Sequence, residues 1–133
     1  MTDTAATKMI HGLVPLCVTL GISADTAGPD EVVLSLDWAP NLCTGNDVLH
    51  GGIVMALADS SGAVCAFLNL PKDAGGTATI ESKTNFFAPT RSGTVKAHSH
   101  PLHIGKRVIV VETEIRGDDG KLAAKTIQSQ AVL

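Results

Sequence analysis

The stretch from His50 to Leu70 reads HGGIVMALADSSGAVCAFLNL, and it decides the fold of this chain. Between Ile53 and Leu68 nearly every residue is apolar or small, and the Ala, Leu and Met content favours a helix over a strand. Pro71 follows and predicts the end of the helix. Because this helix is apolar on all sides, we expect the rest of the protein to wrap around it.

Two features of this helix indicate chemistry. Asp59 is its only acid, and a buried carboxylate is costly unless it is paired or used. Gly51 and Gly52 open the helix, where free backbone N–H groups stabilise anions and developing negative charge. The alternatives are a hydrogen-bonded structural acid and glycines that allow close packing. One helix thus offers a cluster of donors at its start and a carboxylate about two turns later.

Composition limits the class of protein. The chain of 133 residues is 44% hydrophobic and 17% charged, which predicts one globular domain over residues 1–133. Asp59 interrupts the only candidate membrane span, and the N-terminus lacks a signal-peptide pattern. Three widely spaced cysteines fit a reducing compartment, so we expect a cytoplasmic protein. A net charge of −3 and the absence of Tyr argue against nucleic-acid binding.

The segments around the helix read mainly as strands. Residues 4–14 predict a short amphipathic helix ending before Pro15, and residues 16–27 a loop followed by a first strand. Alternation in Glu31–Trp38 predicts a half-buried strand, and Pro101 predicts an edge or a bulge. The further predicted strands are Thr77–Ala88, Thr94–Leu102, Arg107–Arg116 and Lys121–Val132, with turns at Pro89–Gly93, Ile104–Lys106 and Gly117–Gly120.

Short turns imply antiparallel neighbours. We therefore expect an α+β fold in which a curved antiparallel sheet of five or six strands wraps around one long central helix. Exposed edge strands of such a sheet need covering, and pairing with a second chain is one way to cover them.

The run LHGGIVMALAD, from Leu49 to Asp59, resembles the signature of the hotdog-fold acyl-CoA thioesterases, in the phenylacetic-acid-degradation (PaaI-like) branch. The resemblance extends over residues 30–133 and includes Thr79–Pro89, Gly93, Gly105–Arg107 and Asp119–Ala124. It implies a single hotdog thioesterase domain, hydrolysis of a CoA thioester without metal or cofactor, and homodimers in which two sheets join, often paired into homotetramers.

The resemblance also implies roles for individual residues. Gly51 would supply the oxyanion N–H, Asp59 would be the general base or the nucleophile, and Thr79 would lie near the attacking water. The family often has Asn six residues before the His of His-Gly-Gly, where this chain has Thr44. Asn46 is the nearby candidate, out of register. His50 completes the candidate catalytic set, although hydrogen bonding at the start of the helix is its expected role.

Candidate substrate contacts are Gly52, Ser60, Arg91, Lys106 and Arg107. The three cations lie in predicted turns and could bind the CoA phosphates, but solvated turn charges are the equal alternative.

His98, His100 and His103 suggest a metal site at first sight. No carboxylate or cysteine accompanies them at ligand spacing, so we expect surface histidines.

The leading hypothesis is an acyl-CoA thioesterase acting on aryl or medium-chain acyl groups, with which Trp38, Phe86 and Phe87 are compatible. The alternative is a non-catalytic acyl-CoA-binding hotdog module. Gly51 and Asp59 are eight residues apart, about 12 Å along a helix, too far for both to act on one carbonyl within one chain. We therefore expect an obligate dimer with antiparallel central helices and active sites shared between subunits.

Overall fold

Six strands form one antiparallel sheet, and the long helix packs across one face of it. The computed structural model describes residues 1–133. Its elements are α1 (Thr4–Leu13), α2 (Pro15–Leu20), β1 (Ser23–Ala27), β2 (Val32–Asp37), α3 (Gly51–Phe67), β3 (Thr77–Phe86), β4 (Thr94–Ile104), β5 (Val108–Arg116) and β6 (Leu122–Val132). The strand order is β1-β2-β4-β5-β6-β3, so β1 and β3 are the edges. The expected α+β architecture is confirmed.

The central helix α3 is covered on one side only. Its inward face packs Val54, Leu57 and Val64 into the core against the sheet. The opposite face stays open, with Met55 42% and Phe67 41% exposed. The expectation that a single chain wraps this helix on all sides is therefore wrong, because the sheet is open and covers only one side of the helix.

The second strand is buried on both faces, which corrects the predicted alternation. Val32 through Leu36 are all buried, including Ser35, which was expected to face solvent. Asp25 and Lys96 form an ion pair of 2.6 Å, and the Ser35 hydroxyl donates to the same carboxylate at 3.2 Å. This charged pair covers the outer face of β2.

Pro101 lies where β4 has a neighbour on one side only. The pairing with β2 ends at Ser99, and the register with β5 shifts between Pro101 and His103. Both predictions for this proline, an edge and a bulge, are confirmed locally. The strand continues through Ile104, so the predicted turn begins one residue later, at Gly105.

The edge strand β3 also contains a bulge. It pairs with β6 along its whole length, and the register shifts between Thr79 and Glu81, leaving Ile80 as the extra residue. Ile80 is 62% exposed, and the free side of β3 has no partner in the chain.

The segment 16–27 contains a short helix as well as the expected strand. α2 has Pro15 at its start and Gly21 in the left-handed conformation, φ 69°, at its end. The predicted amphipathic helix before it is confirmed as α1, with Ile10 fully buried. None of the helices combines the length and apolarity that a membrane span requires.

Candidate active site

The start of α3 leaves one backbone donor free. The first four N–H groups of a helix have no partner within it. Here the Gly52 N–H donates to Nδ1 of His50 at 2.8 Å, and the N–H groups of Ile53 and Val54 donate to the His50 carbonyl at 2.9 and 3.1 Å. The Gly51 N–H has no acceptor within the chain. His50 is thus the helix cap, and Gly51 is the residue able to donate to a ligand.

Gly51 lies in an apolar groove of about 330 Å³. The ring of Phe86 covers it so closely that a Cβ on Gly51 would lie 3.4 Å from the ring. The other residues that line the groove are Thr44, Val48, Leu49, Val54, Phe87, Ala88, Pro89, Thr90 and Ala123. The helix start therefore combines a free N–H and the positive end of the helix dipole with a largely apolar surface.

Asp59 lies on the half-exposed face of α3 and is held by two neutral donors. The Thr79 hydroxyl donates to Oδ1 at 3.4 Å, and Nε2 of Gln128 donates to the same oxygen at 3.3 Å. Oδ2 has no partner within the chain. Asp59 takes part in none of the six ion pairs, so no cation neutralises this carboxylate.

A second glutamine orients Thr79. Nε2 of Gln130 donates to the Thr79 hydroxyl oxygen at 2.8 Å, and Oε1 of Gln130 accepts from the Thr77 hydroxyl at 3.2 Å. Gln128 and Gln130 are each 1% exposed. The residues beneath Asp59 therefore form one polar network between β3 and β6.

The structure brings together some of the predicted residues and separates others. The Thr79 hydroxyl, expected near the attacking water, contacts Asp59. Thr44 lines the groove at Gly51, whereas Asn46 makes no side-chain hydrogen bond and lies outside the groove lining. Asn46 itself has a left-handed backbone, φ 62°, and within this chain its side chain contacts no residue of the site.

Ser60 was expected to contact substrate, and this expectation is wrong. Its side chain is 4% exposed and buried in the core. There it lies beside Cys17, whose pKa is raised by burial and partly lowered by the Ser60 hydrogen bond. The following serine, Ser61, is also fully buried and accepts from the Ser99 hydroxyl at 2.7 Å.

The three candidate cations lie at opposite ends of the sheet. Arg91 follows β3 at the end where α3 begins, next to the groove residue Thr90. Lys106 and Arg107 lie in the β4–β5 turn, where the Arg107 carbonyl accepts from the Val132 N–H. The intervening strand β4 has 11 residues, about 36 Å of extended chain. One chain therefore cannot place all three cations on the same phosphates.

Two of the three histidines pair with carboxylates from neighbouring elements. Nε2 of His100 lies 2.9 Å from Glu112, and Nδ1 of His98 lies 3.5 Å from Glu31. Lys125 also bonds Glu112, at 2.8 Å. These carboxylates, which sequence spacing did not indicate, give the two imidazoles partners on the outer face of the sheet. The chain has no group of three or more His, Cys, Asp and Glu side chains arranged to hold a metal.

Sequence reasoning missed Gln128 and Gln130. The signal was present, since both lie two residues apart in a strand and therefore point to the same face. Two glutamines in an otherwise amphipathic strand read as solvent-facing, and only the pairing of β6 with β3 shows that they point under the helix.

Comparison with known proteins places the chain in a family. The family model of the thioesterase superfamily matches residues 46–124, a span that includes Gly51, Asp59 and Thr79. A provisionally named esterase of Saccharolobus solfataricus is 37% identical over 103 residues, 77% of this chain and 72% of the relative. The 1,4-dihydroxy-2-naphthoyl-CoA hydrolase of Escherichia coli is 31% identical over 86 residues, 65% of this chain and 62% of that enzyme.

Solved structures agree with this placement. A thioesterase from Haemophilus influenzae superposes with a TM-score of 0.88 at 25% identity, covering 99% of this chain and 93% of that one. The phenylacetic acid degradation protein PaaI from Thermus thermophilus, in a mutant form, shares the fold with a TM-score of 0.81 at 22% identity, covering 90% of this chain and 99% of that one. The chain therefore belongs to the thioesterase superfamily and has the hotdog fold.

Proposed function

We propose that this protein is an acyl-CoA thioesterase that hydrolyses aryl or medium-chain acyl-CoA to the free acid and CoA. One observation carries the proposal: the same helix has a Gly51 N–H without an acceptor and, two turns later, an Asp59 carboxylate that no cation neutralises. The groove at Gly51 is apolar enough for an acyl group. The similarity to a naphthoyl-CoA hydrolase supports a CoA ester as the substrate class.

The residues suggest the following reaction. Asp59 accepts a proton from water while the water oxygen forms a bond to the thioester carbonyl carbon. The carbonyl oxygen becomes an oxyanion. It accepts a hydrogen bond from the Gly51 N–H, which lies at the positive end of the helix dipole. The intermediate collapses, the C–S bond breaks, and the CoA thiolate takes up the proton held by Asp59. In the alternative route Asp59 attacks the carbonyl carbon, the C–S bond breaks and CoA leaves as the thiolate, which gives a mixed anhydride. Water then hydrolyses the anhydride to the free acid and the Asp59 carboxylate, and the proton released from this water goes to the thiolate.

The distance between the two groups supports a shared site. Gly51 and Asp59 are two turns apart on α3, about 12 Å. The open face of α3 exposes Met55 and Phe67, and β3 is an unpaired edge. A second chain that packs its α3 antiparallel on this face would bring Gly51 of one subunit to Asp59 of the other and cover both surfaces. A homodimer with two such sites is the proposed unit, and pairing of dimers into a tetramer would leave these sites intact.

The first test is turnover. A panel of aryl- and medium-chain acyl-CoAs is incubated with the protein, and released thiol is measured. Asp59→Asn is expected to lower kcat by at least ~100-fold, the usual size of a general-base contribution. Asp73→Asn, in the exposed loop before β3, is the matched control and should leave turnover unchanged. If acyl-CoA binds but wild-type protein turns none over, the binding-module alternative is correct.

The oxyanion role is tested by Gly51→Pro. His50 has φ −59° and ψ 133°, which a residue before proline adopts readily, and proline is favoured at the first helical position. The substitution therefore removes the N–H without breaking the helix. Gly51→Ala keeps the N–H and adds only an ordinary contact with Phe86, so it should retain far more activity than Gly51→Pro.

The shared site is tested by mixing the two inactive variants. A heterodimer of Asp59→Asn and Gly51→Pro would contain one site with both defects and one with neither. Recovered activity, approaching half that of a wild-type dimer per heterodimer, supports the shared site. No recovery, despite subunit exchange demonstrated by mass spectrometry, would mean that each site is built within one chain.

A further inference from the structure

The two oxygens of Asp59 have different surroundings. Oδ1 accepts from Thr79 at 3.4 Å and from Gln128 at 3.3 Å, whereas Oδ2 accepts from no group of the chain. Both donors are neutral, so the carboxylate is oriented without being neutralised. A cation in their place would stabilise the charged form much more and would weaken the carboxylate as a base.

Gln130 fixes the direction in which the Thr79 hydroxyl donates. A hydroxyl has one hydrogen, and its oxygen here already accepts from Nε2 of Gln130 at 2.8 Å. The hydrogen is therefore left for Asp59. The Thr77 hydroxyl lies 3.2 Å from Oε1 of Gln130 and shares its one hydrogen with the Ala131 carbonyl at 2.9 Å, so Oε1 faces Thr77 and the amide nitrogen faces Thr79.

The amide of Gln128 packs against Gly62, where a larger residue would overlap it. A Cβ on Gly62 of α3 would lie 2.0 Å from Oε1 and 2.5 Å from Cδ of Gln128. Its Oε1 is buried without a hydrogen-bond partner. An orphaned buried carbonyl destabilises the fold, and an apolar side chain of similar shape would avoid that cost. The hydrogen bond from the amide nitrogen to Asp59 therefore explains why an amide is present at position 128.

We infer that Gln128 and Gln130 of β6 are positioning residues of the active site. Gln128 directly, and Gln130 through Thr79, anchor Oδ1 of Asp59 and leave Oδ2 as the oxygen that meets the thioester or its attacking water. The inference rests on the proposed thioesterase function and adds to it which carboxylate oxygen reacts and what aims it.

The decisive variant is Gln128→Met, which keeps the length of the side chain and removes the donor. We expect kcat to fall ~10- to 100-fold with KM within about twofold, because the loss concerns the reacting geometry and not substrate binding. The acid limb of the kcat/KM profile should move to higher pH, since removing a donor to the charged form raises the pKa of a carboxylate. Gln128→Glu, which adds a second carboxylate beside Asp59, should move it further.

Charged side chains of the neighbouring strands lie away from Asp59 and should not affect the pH profile of kcat/KM. The charged side chains of the strands next to Asp59, Glu81 and Lys83 of β3 and Lys125 of β6, occupy the outer face of the sheet. Ser129→Ala, between the two glutamines but on that outer face, is the matched control and should change neither kcat nor the profile. The route from Gln130 through Thr79 is tested at Thr79. Thr79→Ser keeps the hydroxyl and should be at least about tenfold more active than Thr79→Val.

A measurement independent of turnover separates this inference from the proposed function. Carbon NMR titration of the Asp59 carboxyl should give a higher pKa in Gln128→Met than in the wild type. An unchanged carboxyl pKa, or a kcat within twofold of wild type while Asp59→Asn is inactive, would overturn the positioning role. Absence of turnover in the wild type would overturn the proposed function instead, and the titration would still decide whether Gln128 acts on Asp59.

Discussion

The contact between Gly62 and Gln128 allows a quantitative prediction. A Cβ at position 62 would overlap Oε1 of Gln128 at 2.0 Å. Overpacking of a core of this kind costs roughly 1–3 kcal/mol. Alanine in place of glycine in a helix interior returns about 1 kcal/mol. Because the glutamine must move and also lose its bond to Asp59, we expect Gly62→Ala to lower the free energy of unfolding by roughly 1–2 kcal/mol.

The effect of Gly62→Ala on the free energy of unfolding should change sign when Gln128 is shortened. Gln128→Ala removes the three atoms nearest to the new methyl group, Oε1, Cδ and Nε2 of Gln128. In that background Gly62→Ala should stabilise by about 1 kcal/mol, the helix-propensity gain alone. The double-mutant cycle therefore predicts a coupling of roughly 2–3 kcal/mol between positions 62 and 128.

Urea unfolding of the four proteins at one fixed protein concentration measures the cycle, since an associating protein changes its apparent stability on dilution. Gly12→Ala in α1, where a Cβ meets nothing within 4 Å, is the control and should stabilise both backgrounds equally. Additive effects of the substitutions at 62 and 128, within about 0.5 kcal/mol, would refute the steric reasoning.

Three further predictions follow from individual side chains. The hydrogen bond from Lys125 lowers the pKa of Glu112 below 4.5, so its stabilisation is present above that pH and is lost as the pH falls through the lowered pKa. Glu112→Gln should therefore cost up to about 1 kcal/mol near pH 7 and nothing near pH 2 in urea titrations. Burial raises the pKa of Cys65 to about 11, so alkylation of the native protein near pH 8 should modify the half-exposed Cys43 and spare Cys65, as mass spectrometry can check. Arg91→Gln should raise KM for an acyl-CoA about threefold or more at similar kcat, with no effect on a thioester lacking the nucleotide; an equal loss for both esters would exclude phosphate binding.

Local sequence signals predicted the helix α3 well. The apolar run, the glycine pair and Pro71 are short-range features, and they set where the helix begins and ends. Asp59 stands out because nothing else in the run is acidic. The family resemblance pointed to Thr79 only as a residue near the attacking water, and its contact with Asp59 is seen in the structure alone.

Strand order could not be predicted from the chain, and the main errors come from that. The burial of Ser35 depends on Asp25 and Lys96, which arrive from two neighbouring strands. The separation of Arg91 from Lys106 follows from which end of the sheet each turn occupies. The open face of α3 follows from β3 lying at an edge, a position that no local pattern records.

The bulge at Ile80 makes the length of β3 matter more than its composition. Thr79 and Phe86 both face α3, the first at Asp59 and the second at Gly51. They are seven residues apart, and strict alternation would point two residues at an odd separation to opposite faces. The extra residue corrects this parity. Many side chains should be tolerated at position 80, but deleting that residue would turn one end of the strand over and remove either the hydroxyl at Asp59 or the ring at Gly51.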